Sequence, residues 1–184
     1  MMRGLWVAVW LGCAGLAAAD PMCKPDAAER AALPGLLAGD WQRSVVAGAA
    51  VIGGVPRQMP ADTASTAARL TAEGASIGLP DPSLPETAHL QADLGGGQDY
   101  ALPGESPLLA QELLAPLLAE AGVVCDATDL PQFQAQIAAG QGLGMRLRLF
   151  VLGKDQLVLV TYVAQLGPVA RPGTAVRVVM RYAR

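Results

Sequence analysis

Residues 143–164, LGMRLRLFVLGKDQLVLVTYVA, are the stretch on which the reading of the fold turns. Met145, Leu147, Leu149 and Val151 alternate with Arg146, Arg148 and Phe150, a period of two that predicts a strand with one face buried. Gly153-Lys154-Asp155 then supplies a turn, and 156–164 returns as a nearly continuous apolar strand. Beyond Gly167-Pro168 and Pro172-Gly173, residues 174–182 repeat the alternation, with Val176, Val178, Met180 and Tyr182 on one face. Three consecutive strands predict an antiparallel meander whose apolar face needs a cover.

Working outward, the cover is expected from helices. Ser106 is a good N-cap, and Pro107 sits at the first helical position, where its missing N–H costs nothing. Leu109, Leu113 and Leu117 form one ridge, Leu114, Leu118 and Ala121 the next, and Gly122 ends the helix. Asp129-Leu130-Pro131 predicts another short helix, with Phe133, Ile137 and Ala138 inward and Gly140 as its stop. Residues 62–73 predict a third, capped by Asp62 and rich in alanine. Asp26 and Glu29 have the spacing of a capping box for a fourth, which Pro34-Gly35 interrupts. Residues 42–60 read as weak strands around Gly53-Gly54. Segment 75–106, with Pro80, Pro82, Pro85, Pro103 and Gly95-Gly96-Gly97, reads as loop with one short strand at 89–94. The expected fold class is therefore α+β, a C-terminal antiparallel β-meander of at least three strands packed against short helices.

The chain has 184 residues, 52% of them hydrophobic and 16% charged, which fits one domain and excludes wholesale disorder. Its start reads as an export signal. Met1–Arg3 is positively charged, residues 4–14 are apolar, and small residues end at Ala17-Ala18-Ala19 before Asp20. The expectation is a signal peptide at 1–19 and a single domain at 20–184, periplasmic or secreted, with no transmembrane anchor once the signal is cleaved. Lipidation at Cys13 is the alternative. After residue 19 the cysteines are Cys23 and Cys125, and an oxidising destination predicts a disulfide between them, closing a loop that contributes about 4–5 kcal/mol on chain-entropy grounds.

Charge is uneven along the chain. Residues 20–144 hold five basic and fifteen acidic residues, whereas 145–184 hold seven basic residues and Asp155 as the one acid. The strand period puts Arg146 and Arg148 on one face of the first strand, and Arg177 and Arg181 on one face of the third. Arginines grouped in this way bind an envelope protein or a small anionic ligand, or else pair with the chain's own acidic excess. The net charge of -3 and the export signal argue against nucleic acid.

No catalytic motif stands out, and no cofactor or metal site is assigned. His89 and Asp93 share a face at alternate strand positions, which makes two ligands and no third. A hydrolase using carboxylates of the 86–105 segment, Asp93, Asp99 and Glu105 among them, is the enzymatic alternative to a binding domain.

Gly39-Asp40-Trp41, after a short helix and before β-prone sequence, resembles the Gly-x-Trp opening of lipocalin-type barrels. The basic C-terminal strand is similar in placement to the Arg that packs on that Trp. The resemblance implies a cupped barrel carrying a small apolar ligand, with Trp41 and Arg177 or Arg181 closing one end. The helices expected at 107–121 and 130–139 depart from that pattern and leave too little chain for eight strands.

Overall fold

The computed structural model describes residues 22–81, 84, 86–93, 107–140, 143–165 and 174–184. The export signal, Cys13, Ser106, Asp99 and Glu105 lie outside these residues. α1 (Ala27–Leu37) precedes β1 (Gly39–Ile52), β2 (Val55–Met59), β3 (Asp62–Glu73), β4 (Ser76–Leu79) and β5 (Ala88–Asp93). α2 (Pro107–Glu120) and a single turn of 3-10 helix at Ala127–Asp129 lead into β6 (Gln132–Gly140), β7 (Leu143–Gly153), β8 (Gln156–Gln165) and β9 (Thr174–Ala183). All pairings are antiparallel, and β9 returns to β1. Eight strands thus close into a barrel, with β2 prolonging the first hairpin beyond it.

This overturns the α+β expectation. The three C-terminal strands stand where their alternation places them, but they are part of a ring and not a meander lying on helices. Residues 62–73 are β3, not a helix: Asp62 accepts from the Ala64 N–H at 3.0 Å in a local turn, and the segment then pairs with β1. Residues 132–140 are β6. Gln132, Gln134 and Gln136 alternate with Phe133, Ala135 and Ile137, and Phe133 lies opposite Leu149 on the inner face. In α1 the capping box forms as expected, with bonds of 2.7 and 2.8 Å, but the helix continues through Pro34-Gly35. The Ala38 N–H reaches the Pro34 carbonyl at 3.1 Å, closing the last turn.

The inner faces form the core. Leu70, Ile77, Leu90, Phe133, Leu147, Leu149, Leu157 and Leu159 are buried together, each such side chain contributing about 1.5–3 kcal/mol of transfer free energy. α1 shuts one end with Leu33 and Leu37 against Trp41. The Trp41 indole N–H donates to the Leu37 carbonyl at 2.9 Å. Arg184 lies over the Trp41 ring, 4.0 Å from its centre, and donates to the carbonyls of Leu36, Leu37 and Ala38 at 3.2, 2.9 and 2.8 Å. The arginine on Trp41 is therefore Arg184, not Arg177 or Arg181. Gly39 has φ +126°, and a Cβ there would come within 3.3 Å of the Arg184 guanidinium, so both backbone and space call for glycine.

Outside the barrel, Leu114, Leu117 and Leu118 of α2 and Ala121 just after it cover Phe150, Leu152, Val158, Val160 and Val179. Cys23 and Cys125 are joined, with Cα atoms 6.1 Å apart, as the sequence predicts. The bond ties the N-terminal arm to the segment after α2. Among the described residues no helix is long and apolar enough to cross a membrane.

Arg184→Ala should lower stability by about 1–3 kcal/mol, since it removes the ring contact and the donors of three carbonyls at once. Urea unfolding would show a lower midpoint at unchanged slope. Arg184→Lys should recover only part of the loss, because an ammonium cannot stack and serve that row of carbonyls together.

Candidate ligand-binding site

The barrel wall is tall on one side and low on the other. β1 has 14 residues, roughly 45 Å of strand, and β4 has 4, roughly 13 Å. The β1–β9 and β7–β8 ladders run for ten residue pairs each, whereas β3–β4, β4–β5 and β5–β6 have three each. The β5–β6 ladder joins Gln91–Asp93 to Gln132–Gln134 and goes no further. Beyond it, among the described residues, 135–140 of β6 pair only with β7.

A cleft of about 520 Å³ occupies this lapse. The partly buried Ala135 and Ile137 give it apolar surface, with the buried Ala88 and Leu147 behind them, and Glu86, His89, Gln136, Arg146 and Tyr162 line it as well. The volume falls in the range of small-molecule sites.

The rim is held in place by its own contacts. The half-buried Arg146 guanidinium lies 4.7 Å from the centre of the Tyr162 ring, its cross-strand partner. Arg148 is buried and pairs with the Asp93 carboxylate, also donating to the side-chain oxygens of Gln132 at 2.8 Å and Gln134 at 3.3 Å. His89 Nδ1 stands 2.7 Å from a Glu73 carboxylate oxygen. His89 and Asp93 do share the outer face of β5, but each is engaged elsewhere.

The register puts all four predicted arginines on the outer face of β7–β9, with Arg146, Tyr162 and Arg177 in one cross-strand row. Arg146 and Arg148 line the cleft. Arg177 is 1% exposed, and Arg181 forms a two-pronged pair with Glu120 of α2, one bond 2.9 Å long. Asp93 and Glu120 both belong to the acidic part of the chain. Sequence reasoning missed Gln91, Gln134 and Gln136 as cleft residues. The strict alternation of 132–137 was the available signal, masked by the helix-start pattern of Asp129-Leu130-Pro131.

It also missed a polar group inside the bore. Arg43 of β1 faces inward, opposite Thr66 and Tyr182, and pairs with Asp81 from the connection after β4. Burial opposes the charge on Arg43, but Asp81 and the Tyr182 oxygen outweigh it and hold the guanidinium pKa above its ordinary value. Burial pushes the Tyr182 hydroxyl up to about 12, with Arg43 pulling the other way and Asp81 adding to the rise.

Among the described residues no three His, Cys, Asp or Glu side chains gather as a metal site requires. Compared with protein-family models, curated proteins and solved structures, the chain matches none.

A raised folded-state pKa for an acid means that the unfolded chain loses its proton first. Stability linked to Tyr182 is thus complete below pH 10 and falls as pH rises from 10 to about 12, by roughly 2–3 kcal/mol. Urea midpoints between pH 9 and 12 should fall more steeply for the native chain than for Tyr182→Phe.

Proposed function

We propose that this protein is an exported, non-enzymatic binding module whose barrel takes a small amphipathic organic anion in the cleft between β5 and β6. The observation that carries this reading is the cleft itself, where β6 leaves β5, with apolar surface from Ala135 and Ile137 and a guanidinium braced on an aromatic ring. The ligand's apolar body would lie on Ala135 and Ile137, and its anionic group would meet Arg146, with Gln136 and Tyr162 as neutral polar contacts. This joins the expected basic face to the carrier implied by the lipocalin-type opening, and it favours a small ligand over an envelope protein. The closed end at Trp41 and the eight-stranded ring support the carrier architecture. Export is supported by the pattern of residues 1–19 and by the Cys23–Cys125 bond.

The amphipathic anion 8-anilinonaphthalene-1-sulfonate serves as a probe. Its fluorescence should rise on titration with the folded protein. Ile137→Trp, which fills the floor, should weaken binding at least tenfold, and Arg146→Gln several-fold with a flatter salt dependence. Binding indifferent to both substitutions would exclude the cleft.

A further inference from the structure

Where β6 leaves β5, two strand edges are left facing each other. Among the described residues, 88–90 of β5 pair with β4 alone and 135–138 of β6 with β7 alone. Continued beyond Gln91 and Gln134, the β5–β6 register would set Leu90 against Ala135, His89 against Gln136 and Ala88 against Ile137. Instead Ala88 and His89 line one bank of the cleft and residues 134–137 the other. The β6 bank is roughly 13 Å of strand, long enough for about four residues of a further strand beside it. Open sheet edges are ordinarily guarded by lysine, proline or a bulge. The bank Gln134-Ala135-Gln136-Ile137-Ala138 has no charged residue and no proline, and its register with β7 shifts only beyond Ala138. Such a bank offers main-chain donors and acceptors to an incoming chain.

We infer, on the reading that this cleft is the ligand site, that its amphipathic anion is a short extended peptide, which enters between β5 and β6 as an additional strand. Because β5 and β6 run antiparallel, the guest lies antiparallel to one and parallel to the other and bonds to both through its main chain. Its side chains alternate in direction. One set joins the side of Ala135 and Ile137, which pack against the core, and is apolar. The other set stands on the side of Gln134, Gln136 and Arg146, where an acidic residue supplies the anionic group. Glu86 also borders the cleft, and its charge favours one acidic residue in the guest over a run of them.

The peptide acetyl-Val-Glu-Val-Thr-amide serves as the probe, with its valines on one side and its acid on the other. It should displace 8-anilinonaphthalene-1-sulfonate from the native chain. At saturation it should slow hydrogen exchange roughly tenfold or more at those amides of 135–138 that point away from β7. The dye alone, which has no row of main-chain groups, should leave these amides at their free-chain rate. Ester oxygens in place of the amide nitrogens of alternate peptide residues remove the donors facing one strand and keep the shape, and should weaken binding by roughly fivefold or more. Displacement of the dye without slowing of these amides, or equal affinity of amide and ester peptides, would overturn the slot. A dye whose binding responds to Ile137→Trp but which the peptide does not displace would overturn the slot while the small-ligand reading stands. Failure of both dye and peptide to bind would overturn both. Amides of 135–138 already slow in the free chain would show the edge to be paired within the chain or with a second copy, which also refutes the peptide slot.

Discussion

The contact of Arg184 with Trp41 and the carbonyls of Leu36, Leu37 and Ala38 is the constraint on which the rest depends, because it joins the first strand, the last strand and the helix that shuts the barrel. A ring of strands exists only if β9 meets β1, and their ladder pairs Gln42 with Ala183 across nearly the whole chain. Closing so long a loop is costly in entropy, although the cost grows only logarithmically with length. The register must also be right. A slip of one residue would turn Tyr182 from the bore to the outer face and bring Arg181 inside. Fixing the last residue against α1 allows one register and leaves no free edge between β1 and β9.

The uneven wall then determines where a site can be. On the tall side, long ladders, the packing of α2 on Phe150 and Val158, and the Cys23–Cys125 tie make a rigid half. The low side has three ladders of three pairs each, and there β6 leaves β5. Arg146 and Tyr162 stand where the two meet, on strands of the rigid half but facing the interruption, which keeps the rim ordered next to an open floor.

The strands of 143–183 were legible because each presents large apolar residues on one face, and the pairing of Cys23 with Cys125 was legible because no other cysteine follows the export signal. β3 was not. Its alanines and threonines satisfy a weak helical pattern, and residues 62–67 are exposed, so no buried face marks the period of two. β6 carried that period plainly in 132–137, but a helix-start signal just upstream competed with it; with β3 read as helix and the four-residue β4 read as loop, three strands were missing from the count a barrel needs. For the site, Arg146 and Arg148 followed from alternation alone. The cleft did not, because it arises from the end of a ladder between β5 and β6, a fact of pairing that neither strand contains. Arg43 was hidden for a related reason: its partner lies 38 positions away on a loop.

A largely buried arginine needs its charge answered, and the place of the answering carboxylate matters. Arg148 shows one solution, in which Asp93 and two glutamines come from neighbouring strands whose ladders hold them in place. Arg43 is answered differently. Asp81 lies in the connection between Leu79, the last residue to pair on β4, and Ala88, the first to pair on β5, and its carbonyl accepts from the Leu84 N–H at 2.9 Å. Tyr182, held protonated by burial, adds a hydroxyl without adding charge.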